Sequence, residues 1–148
     1  MVIRKCEFKK DWIVSIIYKD DATYDGCKKL FEKFGLAYAS LESNFIFIDG
    51  EAVTEQHLTQ EHIAAIEAHE IGHFISDHKG LINKSLEEIE KEADWAGYQL
   101  LIKYKRKKAA LILAKRFKDK YEIDITQFVT KPKHRHKIEN YINEIKDV

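Results

Sequence analysis

Residues 69 to 73 of the chain read His69-Glu70-Ile71-Gly72-His73. Two histidines that are four residues apart lie on one face of an α-helix, so both imidazoles can reach a single metal ion if this segment is helical. Glu70 would then lie beside that ion. The pentad therefore requires a helix, and it requires a fold that brings a third ligand up to that helix.

A helix around the pentad is predicted over residues 60–79. Thr59 is a suitable N-cap, and Glu61 puts a carboxylate in the first turn, where the helix dipole favours it. The segment lacks proline, its apolar residues recur at helical spacing, and Gly80 follows as a suitable C′ residue. Gly72 is a poor helix former, but its small size would let a second chain segment approach closely.

A second predicted helix carries a candidate for the third ligand. Residues 85–88 read Ser-Leu-Glu-Glu, a capping box that opens a helix predicted to end near Tyr104. Glu90 and Asp94 share one face of this helix, and that face also carries small residues suited to tight packing. Glu92 points about 200° away from Glu90 and is predicted to be a solvated charge.

These positions predict a complete metal site. His69, His73 and Glu90 are the expected ligands of one zinc ion, which leaves its fourth position open for water, as catalysis needs. Asp94 is expected to accept a hydrogen bond from the free ring nitrogen of a ligand histidine. Zinc lowers the pKa of bound water to about 7, and Glu70 would act as the general base. The pattern predicts a peptidase.

The motifs also carry a resemblance to known families. HExxH followed by ExxxD resembles the gluzincin class of metallopeptidases. The string over residues 90–97, Glu-Lys-Glu-Ala-Asp-Trp-Ala-Gly, resembles the signature of the CAAX-prenyl protease and HtpX-like family. Thr130-Lys131-Pro132 partly matches a later segment of that family, with Lys131 in place of its histidine. The soluble ImmA/IrrE proteases, which act on repressors, are the second resemblance.

Composition is that of an ordinary globular protein. The 148 residues are 45% hydrophobic and 34% charged, with zero net charge, so the overall field steers neither nucleic acid nor membrane towards the chain. Cys6 and Cys27 have no metal-binding spacing. There is no signal-peptide pattern and no apolar run near 18 residues, so a cytoplasmic location without membrane insertion is expected.

The fold class predicted is α+β, a minimal zincin fold in one domain over residues 1–148. Its β-rich part (1–57) is expected to contain a strand over 12–18, a helix over 25–34 and a hairpin over 36–41 and 45–48. The sheet would pack on the pentad helix of the metal-site part (58–104). Residues 44–49 are the candidate edge strand for binding a substrate peptide, and an ordinary core strand is the equal alternative.

The remaining part (105–148) is expected to be helical. Residues 103–120 contain nine Lys or Arg with apolar residues at near-helical spacing, which predicts an amphipathic helix with a solvated face. The alternative is a surface for nucleic acid or an acidic partner. A last helix is predicted over 136–145. Four residues are weak candidates to stabilise an oxyanion: Tyr98, Tyr104, His134 and His136.

The function expected is that of a zinc-dependent intracellular endopeptidase, with Glu70 as its general base. One alternative is a zinc-binding module with a protease-like fold that regulates a protein or nucleic-acid partner by docking. Another is a metal hydrolase that acts on a non-peptide amide. The substrate and the oligomeric state stay open.

Overall fold

The computed structural model describes residues 1–40, 42–76 and 85–127. These contain strands β1 (Val2–Lys5), β2 (Ile13–Ile17), β3 (Ala37–Ser40) and β4 (Phe45–Asp49), and helices α1 (Tyr24–Phe34), α2 (Gly50–Glu55), α3 (Gln60–Ile75), α4 (Leu86–Lys103) and α5 (Lys107–Tyr121). The predicted α+β class is confirmed, with a small sheet followed by a helical C-terminal half. Gly80, the segment that begins at Thr130 and the predicted helix over 136–145 lie outside the described residues.

The four strands form one sheet in the order β1-β2-β4-β3. β3 and β4 form the predicted antiparallel hairpin, with Tyr38 opposite Phe47. β4 also pairs in parallel with β2, with Val14 opposite Ile46. The prediction that residues 44–49 form an edge strand is therefore wrong, and the alternative prediction of an ordinary core strand is confirmed. α1 carries the chain across the sheet between β2 and the hairpin, which puts β4 in the interior and β3 at the edge.

α3, the helix with the pentad, lies between two apolar clusters. Ile71 faces the sheet and packs with Val14, Ile46 and Ile48. Ala64, Ala65 and Ala68 face the other way, towards apolar side chains of α4 and α5. Because α3 is covered on both sides, its backbone is held firmly at the pentad. The predicted packing of the sheet on this helix is confirmed.

α3 and α4 approach each other at two glycines, as the small residues predicted. A Cβ atom on Gly97 would lie 2.8 Å from the carbonyl oxygen of Ala68. A Cβ atom on Gly72 would collide with the carbonyl oxygen of Ala93. Contacts between backbones at this range cannot be relieved by rotating a side chain, so only glycine fits at both positions.

Helix ends agree with the sequence in most places. Thr59 caps α3 by accepting a hydrogen bond from the backbone N–H of His62, and Ser85 caps α4 in the same way. α3 ends at Ile75, four residues before its predicted end. β1 and α2 were not predicted, since both are short. Within the described residues no helix is both long and apolar enough to cross a membrane.

Candidate metal centre

Two histidines on α3 form one side of the site. His69 and His73 lie one helical turn apart, and their rings meet edge to face with centroids 4.7 Å apart. Their Nε2 atoms are 3.1 Å apart. His69 is 6% exposed, and His73 is half-buried at the mouth of a cleft. The helical spacing read from the sequence therefore brings both Nε2 atoms close enough to bind one metal ion.

Glu90 completes the group from α4. Its Oε2 atom lies 3.0 Å from Nε2 of His69, and its Oε1 atom lies 3.3 Å from Nε2 of His73. Tetrahedral ligands at ordinary zinc bond lengths are separated by about 3.3 Å, so each histidine Nε2 atom lies at about ligand spacing from the other and from one of the two Glu90 oxygens. His69, His73 and Glu90 thus form a group that could hold a metal ion. Glu92 is half-buried and is not part of it.

Asp94 lies directly behind His69. Its Oδ1 atom is 2.6 Å from Nδ1 of His69, and the carboxylate is completely buried. Burial lowers the pKa of His69, but hydrogen bonds with Asp94 and Glu90 outweigh this effect and raise it to about 9. The carboxylate favours the tautomer with a proton on Nδ1, which leaves Nε2 free to bind a metal.

Glu70 follows His69 on α3 and lines the same cleft as the three ligand candidates. Its side chain is 8% exposed. Burial raises the pKa of Glu70 above the ordinary value of a carboxylic acid, and the neighbouring His69 and His73 oppose this rise. A carboxylate with a raised pKa is a stronger base than one in water, which suits it to accept a proton.

The cleft beside this group has a volume of about 520 Å³. One wall is the chain from Phe34 to Ala39, which includes most of β3. Ile66, Leu86 and Ile89 provide further apolar surface. β3 pairs with β4 and with no other strand of the described residues, so its second edge has no strand partner there.

Arg116 also lines the cleft, although no motif in the sequence singled it out. It comes from α5, the basic helix whose charges were predicted to be solvated. Its Nε atom lies 4.0 Å from Oδ2 of Asp94. The only local signal is its position next to the buried Phe117, which puts it at the border of the packed face.

The other candidates lie elsewhere. His62 is a capping residue, because the backbone N–H of Thr59 donates to its Nδ1 atom at 3.3 Å. Tyr98 is buried between helices, and the hydroxyl of Tyr104 donates to the carbonyl oxygen of Phe8 at 3.5 Å. Neither tyrosine lines the cleft. The two remaining oxyanion candidates, His134 and His136, lie outside the described residues.

Comparison of the chain with protein-family models, with curated proteins and with solved structures finds no match. The geometry of the site is therefore the basis for any statement about function.

Proposed function

We propose that this chain is a zinc-dependent endopeptidase of the cytoplasm. The observation that carries the proposal is the cluster of the His69 and His73 Nε2 atoms with the Glu90 carboxylate, which has contacts of 3.0 to 3.3 Å and lies next to the buried Glu70. Two imidazoles and one carboxylate are the donor set typical of catalytic zinc, which keeps one position open. The free thiols of Cys6 and Cys27 suit a reducing compartment.

The residues of the site divide the chemistry between them. A zinc ion, when bound, lowers the pKa of a coordinated water and polarises a carbonyl group. Glu70 takes the proton of the attacking water and passes it to the amine that leaves. Asp94 holds the ring of His69 in one tautomer and orientation.

The substrate is proposed to bind as an added strand along β3. The open edge of β3 offers backbone N–H and C=O groups, and Ala37, Tyr38 and Ala39 line the cleft that holds the metal candidates. Backbone pairing of this kind tolerates many sequences, while pockets for alternate side chains select among them. An extended peptide is therefore a better fit than a compact small molecule.

Replacing Glu70 with Gln tests the proposal. The amide cannot accept the proton, so we expect Glu70→Gln to retain zinc and to lose at least about 100-fold in the rate of peptide cleavage. The measurement is zinc content by atomic spectroscopy, together with proteomic comparison of cells that express the wild-type or the variant chain. Full cleavage by Glu70→Gln would refute the role of Glu70.

The competing proposal is a zinc-binding module that regulates a partner by docking. The exposed lysines of α5 are the observation that favours it, because they form a basic surface beside the cleft helices. A docking module would act equally well with Glu70→Gln, whereas a peptidase would not. The same pair of proteins thus separates the two functions.

A further inference from the structure

Arg116 lines the cleft, and no hydrogen bond from the described part of the chain holds its side chain. The separation of 4.0 Å between its Nε atom and Oδ2 of Asp94 is too long for such a bond. Among the described residues, Oδ2 of Asp94 has no hydrogen-bond partner. The Arg116 side chain is 48% exposed, although the carboxylate that it faces is fully buried. The guanidinium group is therefore free to turn towards a ligand.

The surroundings make Arg116 distinctive. It is the one lysine or arginine among the described residues that line the cleft. Much of the rest of the cleft lining is apolar, including Phe34, Leu36 and Ile66. A peptide bound against this lining would exclude part of the water, and the half-exposed guanidinium group can then form charge-assisted hydrogen bonds with a carboxylate of the peptide.

The position of Arg116 relative to the metal candidates sets the part of a substrate that it can contact. Arg116 lines the same cleft as Glu70 and the three ligand candidates. Its Nε atom lies 4.0 Å from Oδ2 of Asp94, the carboxylate whose Oδ1 atom is 2.6 Å from Nδ1 of His69. An extended peptide that lies in this cleft, with residues about 3.3 Å apart along the strand, can therefore bring a group near its scissile bond to Arg116.

We propose that Arg116 is a specificity-determining residue that pairs with a carboxylate of the peptide next to the scissile bond. This inference rests on the proposed peptidase function and names a substrate class for it, peptides with an acidic group at that position. The carboxylate belongs either to an Asp or Glu side chain or to the C-terminus of the peptide. Arg116 offers two parallel N–H donors to either of them.

Binding of peptide hydroxamates to the zinc-loaded protein tests the inference without requiring cleavage. Three probes are compared: one with Asp next to the hydroxamate and an amidated C-terminus, one with Asn and an amidated C-terminus, and one with Asn and a free C-terminal carboxylate. The proteins are wild type, Arg116→Ala and Arg116→Lys. Lys115→Ala is the matched control, because Lys115 is an exposed neighbour on the same helix.

We expect wild type to bind one carboxylate probe about 10- to 100-fold more tightly than the neutral Asn amide, the usual range for a charged hydrogen bond. The carboxylate probe that binds more tightly shows whether Arg116 pairs with an acidic side chain or with the C-terminus of the peptide. Arg116→Ala should lose this preference while it keeps its affinity for the neutral probe, and Arg116→Lys should restore part of it. Lys115→Ala should match wild type.

Three results would overturn the inference. Wild type could bind all probes equally, or Arg116→Ala could keep the preference. Alternatively, Arg116→Ala could weaken all probes and zinc equally, which would show that Arg116 acts only by positioning Asp94. In each case the metal site still binds hydroxamates, so the peptidase proposal stands. A zinc-loaded wild type that binds none of the probes would instead refute both proposals.

Discussion

Asp94 connects helices α3 and α4 through a buried hydrogen bond with His69. It comes from α4, is completely buried, and accepts a hydrogen bond from Nδ1 of His69 on α3. A buried carboxylate in this position makes the histidine a better ligand and restrains its ring. Burying the Asp94 carboxylate costs the free energy of removing one charge from water, and the hydrogen bond with His69 offsets part of that cost.

Replacing Asp94 with Asn should therefore weaken zinc binding while it leaves the volume of the site almost unchanged. We expect the dissociation constant for zinc to rise by about 10- to 100-fold, the usual effect of losing such a partner. Competition with a chromophoric chelator measures this. Asp119→Asn is the matched control, since Asp119 is exposed on α5. Equal affinities of Asp94→Asn and wild type would show that Asp94 does not position the ligand.

The contact between α3 and α4 depends on glycine at two points. Gly72 faces the backbone of Ala93, and Gly97 faces the backbone of Ala68. Each glycine costs helix propensity, but it allows the two helices to bring His69 and Glu90 within hydrogen-bonding distance. The close approach is thus part of what forms the metal candidate group.

Gly72→Ala should force α3 and α4 apart. We expect the free energy of unfolding to fall by about 1–3 kcal/mol from overpacking, despite up to about 1 kcal/mol gained in helix propensity. Urea denaturation measures it. Gly26→Ala in α1 is the matched control, because no atom lies within 4 Å of the added Cβ, and this variant should be as stable as wild type or more so. A Gly72→Ala variant that gains as much stability as Gly26→Ala would contradict the close contact.

A buried ion pair attaches β1 to α3. Both terminal nitrogens of Arg4 donate to the carboxylate of Glu67, at 3.2 and 2.5 Å, and the backbone N–H of Glu7 donates to it at 2.7 Å. Glu67 is completely buried, whereas the Arg4 side chain is 38% exposed. Removing Arg4 would therefore leave a buried negative charge without its main partner.

We expect Arg4→Met to lower the free energy of unfolding by about 2–4 kcal/mol, at the low end of the range for broken buried pairs because Arg4 is partly solvated. Lys5→Met, an exposed neighbour on β1, should change it little. In a double-mutant cycle, Arg4→Met should cost less when Glu67 is already Gln. Additive effects of the two substitutions in denaturation experiments would contradict the pairing.

The proposed zinc ion should stabilise the fold as a whole, because the ligand candidates come from two helices that meet only in the folded chain. At zinc concentrations about 1,000 times the dissociation constant, the expected gain is about 4 kcal/mol. Thermal unfolding with zinc and with a chelator measures it. Glu90→Ala should lose most of this gain, and Glu92→Ala should keep it. The opposite pattern would move the third ligand to Glu92.

Local rules of the helix are enough to anticipate much of this protein. The α-helix has a fixed rise and rotation per residue, which puts His69 and His73 on one face and Glu90 and Asp94 on another. The side chains of Thr59 and Ser85 predict where the two helices begin. The sequence therefore predicts the ligand candidates and the two central helices before any contact between them is known.

Long-range packing set the remaining features, because they depend on segments far apart in the chain. The parallel pairing of β2 with β4 moved residues 44–49 into the sheet and left β3 as the strand at the cleft. Similarly, α5 docks so that Arg116 lies beside Asp94, although its sequence is that of a solvated basic helix. No periodicity within a segment encodes which distant segment it will meet, so the edge strand and the cleft arginine emerged only from the packed structure.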